Sequence, residues 1–247
     1  MIPKVIHYCW FGGKPLPASA QKCIDSWKNF LPGYEVVRWD ESNFDVRAIP
    51  YISEAYDAGK YAFVSDYARF WVLYNQGGVY FDTDVEVIAP MDEILDAGPY
   101  MGMERTLNGE IAVNPGLGFA CGPGAELLAE LLEKYRTLRF RNEDGSLNQT
   151  TIVKHTTDVL LSYGYVSENV KQNCRGFELY PVDYFCPLDY KSGKLEATQN
   201  TRTIHHYAAS WHTAKDKWIR LKRVFFSEKQ IKAISAFLDK FRKRKDQ

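Results

Sequence analysis

Little in this chain would hold it together except its own core. Its five cysteines, Cys9, Cys23, Cys121, Cys174 and Cys186, are an odd number without close pairing. That argues against a disulfide framework or a zinc knuckle, and reduced thiols are expected. No apolar run approaches the ~18 residues that a membrane-spanning helix needs. The first residues lack the charged-then-apolar pattern of a secretion signal, so a cytoplasmic chain is expected. Asn148-Gln149-Thr150 then reads as a chance glycosylation sequon. Internal repeats and low-complexity linkers are missing as well.

Net charge is absent too, with 31 Lys/Arg against 31 Asp/Glu, but the balance is uneven along the chain. Residues 212–247 hold 12 basic and 4 acidic groups, leaving 19 and 27 to the remainder. An acidic body without a basic recognition motif argues against nucleic acid as a partner. In the tail, Trp218, Val224, Phe225 and Phe226 lie among Lys215, Lys217, Arg220, Lys222 and Arg223. That mixture suits an anionic bilayer, and a solvated helix face is its plainer use. The expectation is one domain over residues 1–214 and a basic amphipathic helical extension over 215–247. The expected location is cytoplasmic, with a peripheral hold on the inner face of the cytoplasmic membrane.

What is present reads as alternating strand and helix. Val5-Ile6-His7-Tyr8-Cys9-Trp10-Phe11 is a nearly unbroken apolar run ended by Gly12-Gly13, which suits a strand buried on both faces. Residues 18–30 read as an amphipathic helix and 34–39 as a second strand, together a βαβ unit of an α/β fold. Such units bind ligands beyond the carboxyl ends of their strands, here near Trp10 and Gly12. A further helix is expected from an N-cap at Ser65 to Gly77 or Gly78, with Tyr67, Phe70, Trp71 and Tyr74 as its buried stripe. Residues 79–81 form a short strand leading to Asp82-Thr83-Asp84. Residues 125–135 and 150–162 read as helices, 180–187 as an aromatic loop, 203–207 as a late strand and 227–245 as a terminal helix.

The Asp82-Thr83-Asp84 triplet carries the chemistry. In an extended strand, residues two apart share a face, so the two carboxylates converge while Thr83 turns away. Burying such a pair without a cation is costly through desolvation and mutual repulsion. Carboxylate oxygens suit hard cations such as Mg²⁺ and Mn²⁺, which in turn hold phosphates. Asp66 and Arg69, three apart, share a helix face flanked by aromatics, which suggests a partly buried pair with a ligand or partner. Trp10 either packs in the core or walls a base pocket, where stacking is worth ~1–3 kcal/mol. His205 and His206 face opposite ways on a strand, so at most one of them joins the aspartates, and an imidazole ligand favours Mn²⁺. His7 reads as a core histidine, His212 as a surface one, and His155 has nothing near it in sequence to recommend it.

At these residues the chain resembles glycosyltransferase family 32. Three anchors carry the likeness: Ile6-His7-Tyr8-Cys9-Trp10-Phe11-Gly12-Gly13, the block over residues 65–85, and Ile204-His205-His206-Tyr207-Ala208-Ala209-Ser210-Trp211. The resemblance implies a GT-A fold, a single Rossmann-like domain with a mixed, mostly parallel central sheet. It also implies a UDP- or GDP-sugar donor and a divalent metal, Mn²⁺ or Mg²⁺. Carried over by position, Trp10 stacks on the base, Asp66 and Arg69 hold ribose or donor sugar, and Tyr80 lines that pocket. Asp82 contacts sugar or ribose and shares metal and diphosphate duties with Asp84. One late histidine, with His206 favoured over His205, completes the metal shell. Ser210 and Trp211 close over the diphosphate, and Asn114 is a weaker candidate facing the sugar. Retention of anomeric configuration is implied, with a glycan or lipid-linked glycan of a capsular or lipopolysaccharide surface polymer as acceptor.

Other classes use similar parts. A nucleotidyltransferase also employs an Asp-x-Asp pair with metal, but it usually needs a phosphate-cradling glycine motif before the pair, where Gly77-Gly78 reads as a helix cap. A glycoside hydrolase needs two carboxylates ~5–9.5 Å apart and no nucleotide. A non-catalytic nucleotide-sugar-binding module would bind donor without releasing nucleoside diphosphate.

Overall fold

The computed structural model describes residues 1–208. The expected terminal helix, the 215–247 extension, Ser210 and Trp211 lie outside the described residues. In chain order the elements begin β1 (Val5–Cys9), α1 (Ala18–Phe30), β2 (Glu35–Trp39), α2 (Pro50–Asp57), α3 (Tyr61–Gln76), β3 (Gly78–Tyr80) and β4 (Val85–Val87). There follow α4 (Asp92–Asp96), β5 (Tyr100–Arg105), β6 (Ile111–Cys121), α5 (Glu126–Thr137) and α6 (Ile152–Leu161). The last are β7 (Gln172–Cys174), β8 (Phe177–Tyr180), α7 (Val182–Phe185) and β9 (Thr203–His205).

Seven strands form one mixed sheet in the order β2-β1-β3-β6-β5-β8-β7, and β4 pairs with β9 in a separate ribbon. Parallel pairing joins β1 to β2 and β3, and β5 to β8; the other pairs are antiparallel. The unbroken apolar run of β1 is explained by its place between two parallel neighbours. Ile6 and Tyr8 pack on one face with Trp27 of α1 and Phe81, while Cys9 packs on the other with Tyr67 and Phe70 of α3. Both faces of the sheet are thus dry, as an α/β architecture requires. The α/β fold expected from the sequence is the one observed.

Several boundaries differ from the sequence reading. Helix α3 starts at Tyr61 rather than after Ser65, and the Ser65 hydroxyl donates to the Tyr61 carbonyl from inside the helix at 3.2 Å. Phe63 and Val64 extend the buried stripe backwards, and that burial outweighs the capping preference of a serine. The 180–187 stretch carries the end of β8 and the single-turn α7 rather than a plain loop.

One irregularity positions the site. Where β5 pairs with β6, Met101 opposes Phe119 but the next residue, Gly102, opposes Asn114. Residues 115–118 therefore leave the ladder as a wide bulge, beginning with Pro115, which has no N–H to offer. The bulge brings Asn114 and Gly116 against the residues that follow β3.

Candidate functional site

The site is assembled at the carboxyl end of β3, where parallel sheets place their ligands. Asp82 follows that strand by two residues. Its backbone N–H donates to the Gly116 carbonyl at 3.4 Å. One carboxylate oxygen accepts from the Tyr80 hydroxyl at 3.0 Å and the other from Arg69 Nη1 at 3.2 Å. Arg69 also binds Asp66 at 3.0 Å, donates Nε–H to the Ser65 carbonyl at 3.1 Å and lies over the Tyr80 ring at 4.8 Å. A single buried guanidinium therefore serves two carboxylates and an aromatic face.

Asp84 is held by the β4–β9 ribbon. Val85 pairs with His205, and the His206 N–H donates to the Asp84 carbonyl at 2.9 Å. The Asp84 carboxylate accepts the Ala208 N–H at 2.8 Å and faces His205 Nε2 at 3.3 Å. One ligand atom each from Asp82, Asp84 and His205 lie within 4.8 Å of one another. The favoured histidine of the sequence reading, His206, is turned the other way, with Nε2 2.7 Å from Glu86. Alternation along the strand allowed one of the pair inwards, and antiparallel pairing with β4 selects His205.

Burial and charge act against each other here. Burial pushes the Asp82 carboxyl above its ordinary range, although Arg69 pulls it down. Burial also drives Asp66 up to about 7, outweighing the adjacent Arg69. For Asp84 burial is overcome: His205 and the Ala208 N–H hold it down at about 2. His205 is raised well above the usual imidazole value, because Asp84 outweighs the desolvation that would lower it.

The remaining predicted residues take distinct places. Trp10, half-buried beyond β1, donates Nε1–H to the Lys14 carbonyl at 2.6 Å. Tyr80 is 1% exposed, and Arg69 and Asp66 are 4% and 7% exposed, so all three sit beneath Asp82 rather than on an open wall. Asn114 is buried: its side-chain oxygen accepts the Gly116 N–H and its amide donates to Glu104, both at 2.7 Å. Sequence reasoning missed Glu104 and Gly116. A Cβ on Gly116 would collide with Asp82 Oδ2 and come 2.9 Å from Asn114 Oδ1 and 3.3 Å from Arg69 Nη1. Only the Asn114-Pro115-Gly116 triplet hinted at this; Glu104 carries no signal in sequence.

Residues 17–100, which include both aspartates, match the family model described as a glycosyltransferase sugar-binding region containing a DXD motif. The chain is 30% identical to an uncharacterized glycosyltransferase of Acanthamoeba polyphaga mimivirus, over 94% of this chain and 90% of the other. The chain belongs to the DXD glycosyltransferases of the family 32 type. The chain is also 36% identical to inositol phosphoceramide mannosyltransferase 3 of Schizosaccharomyces pombe, over 49% of its length. That match spans 34% of the yeast protein's length. Among solved structures, a glycosyltransferase involved in glycosylation of the major capsid of PBCV-1 is similar at 11% identity and a TM-score of 0.49, covering 90% of this chain and 98% of that one.

Proposed function

We propose that this protein moves a sugar from a nucleotide-sugar donor to a hydroxyl of a glycan or lipid-linked glycan, with retention of configuration and a divalent cation at Asp82, Asp84 and His205. The observation that carries the reading is the convergence of those three side chains beyond β3. Two carboxylates and one imidazole are a donor set suited to Mn²⁺, and Mg²⁺ is the second choice. The proton that Asp84 holds on His205 would have to leave for the imidazole to ligate a cation, so binding would release a proton. When bound, such a cation supplies electrostatic stabilisation for negative charge growing on a departing diphosphate.

The protein's own groups do the placing. Arg69 and Tyr80 fix the two oxygens of Asp82 from below, and the ribbon of β4 and β9 fixes Asp84. Asn114, through Gly116, sets the distance between the bulge and Asp82. Trp10, at the end of β1, is the group offered to the donor base. Transfer on the front face, with the acceptor hydroxyl giving its proton to the leaving phosphate, asks for positioning and charge stabilisation and for no covalent nucleophile. A mannosyl donor gains support from the names of the yeast relatives, both mannosyltransferases of inositol phosphoceramide. Surface-polysaccharide synthesis at the inner face of the membrane remains part of the proposal. Among the described residues no helix is long and apolar enough to cross a membrane.

The test is thermal denaturation with Mn²⁺ and each of UDP-glucose, UDP-galactose and GDP-mannose, followed by an assay for nucleoside diphosphate release. A ligand at 100 times its dissociation constant adds ~2.7 kcal/mol of stability. One donor should raise the melting temperature and be cleaved. No shift and no release with any donor would remove the proposal.

A further inference from the structure

Beyond the aspartates lies a concavity that the proposed donor machinery does not use. It is a small, half-open cleft of about 110 Å³, below the range of enclosed small-molecule sites, so a ligand there would lie partly in solvent. Arg105, Asp189, Tyr190, Glu196 and Tyr207 provide its polar lining, and Leu188 adds an apolar flank. We propose that this cleft holds the acceptor, as a neutral, hydroxyl-rich sugar unit; the acceptor role rests on the glycosyl-transfer reading above.

The position argues for it. Tyr207 is shared between cleft and cation cluster: its ring centroid lies 4.2 Å from that of His205 and 4.9 Å from that of Tyr190. The Tyr207 hydroxyl is 2.9 Å from Cys186 Sγ, which holds the ring upright at the boundary. Arg105 is the last residue of β5, directly after Glu104, which binds Asn114 and so leads back to Asp82. Glycosyl transfer needs the attacking hydroxyl and the donor carbon at near-contact, so the acceptor must lie within a few ångströms of the diphosphate site. A cleft with one wall in common with that site meets the requirement.

The chemistry argues for the ligand class. Asp189 and Glu196 accept hydrogen bonds from hydroxyls, Arg105 donates them, and the tyrosines offer ring faces to the apolar side of a sugar. Asp183, Asp189 and Glu196 still outnumber Arg105 and the Lys194 that pairs with Glu196 at 2.8 Å, which disfavours a phosphate at this spot. The sugar unit of a lipid-linked acceptor fits here better than its phosphate does.

The experiment is saturation-transfer NMR on the full chain with Mg²⁺ and UDP or GDP, presenting the methyl glycosides of glucose, galactose and mannose one at a time. At least one glycoside should show transfer in the wild-type protein. Arg105→Ala removes an exposed donor and Leu188→Trp fills the cleft, and each should reduce that signal at least fivefold. Circular dichroism checks that both variants fold. Absence of transfer from every glycoside, or variants that match wild type, would overturn the proposal. Thermal shift with the same nucleotides separates the two readings. Glycoside binding without any nucleotide effect would keep a sugar site but remove its acceptor role along with the donor reading. A nucleotide shift with no glycoside transfer would sink the cleft alone.

Discussion

Arg69 on α3 lies 3.2 Å from Asp82 beyond β3, although its side chain is only 4% exposed. The same guanidinium binds Asp66 three residues earlier on its own helix. A buried cation between two carboxylates ties the helix to the loop that carries the aspartates. Neither Asp66 nor Asp82 has another cation among the described ion pairs, and His205 pairs with Asp84 instead.

Replacing that cation should therefore be destabilising. Arg69→Met leaves the buried Asp66 and the partly exposed Asp82 uncompensated, a change that costs ~3–5 kcal/mol where the pair is fully buried and less here. Urea denaturation measures it, and adding Asp66→Asn should restore part of the loss. A cost below ~1 kcal/mol would contradict the buried-bridge account.

Asp84→Asn keeps the shape of the side chain and removes its charge. Cleavage of the donor should fall by about 10²–10³, the loss typical of one group that stabilises charge in the transition state. The variant should still fold, as circular dichroism would check, although its melting temperature without ligand should fall because His205 loses the carboxylate that balances it. Turnover within about threefold of wild type would remove Asp84 from the proposed machinery.

The two neighbouring histidines should separate cleanly. Calorimetric titration with Mn²⁺ should show at least a tenfold weaker affinity for His205→Ala, since His205 Nε2 is among the converging ligand atoms. His206→Ala breaks a contact with Glu86 at a half-exposed position, worth ~1 kcal/mol or less. It should weaken Mn²⁺ binding far less; the reverse order would restore His206 as the ligand.

Gly116→Ala tests the bulge. The added methyl meets Asp82 Oδ2 with a fixed backbone behind it, and such overpacking typically costs ~1–3 kcal/mol. Donor cleavage should drop at least tenfold because Asp82 is the group displaced. Full activity would show that the bulge yields without moving Asp82.

Acid should loosen the fold through two buried histidines. Trp39 donates to His7 Nδ1 at 3.1 Å and His7 Nε2 lies 3.0 Å from the Gly77 carbonyl, which fixes the neutral tautomer with its proton on Nε2. Burial lowers His7 and His155 from 6.5 to about 4. The unfolded chain takes up these protons first, so their contribution is complete above pH 6.5 and is lost as pH falls towards 4. Asp66, raised by burial, has the opposite slope, so a comparison is needed rather than a single curve. His155→Gln should lose less stability than wild type between pH 7 and 4, by about 1–3 kcal/mol. Parallel curves would exclude a buried neutral His155.

The local pattern was legible where one element decides the outcome. The bounds of α1 and the two-sided burial of β1 follow from spacing and apolar content, because a strand between parallel neighbours has no wet face. The Asp82-Thr83-Asp84 triplet was visible as an acidic pair after an apolar strand, but strand alternation does not bring its ends together: the triplet lies in a turn between β3 and β4, closed by the Val85 N–H on the Asp82 carbonyl at 3.0 Å. The start of α3 was misplaced because Phe63 and Val64 find a core that no capping rule can see. Strands β5 and β6 went unread, since their meaning lies in a register jump between segments more than ten residues apart. Glu104 and Gly116 matter only through that jump.

Composition, periodicity and one acidic triplet were enough to specify an α/β fold with a carboxylate pair after a strand, because those properties act within a turn or a strand; glycosyl transfer entered through the resemblance to family 32. Which histidine completes the group, what holds Asp82 from below and where an acceptor cleft opens depend on β9 meeting β4 and on the bulge in β6. Such contacts join residues up to 124 positions apart, as Ala208 and Asp84 show, and their energies exist only once the chain has closed on itself.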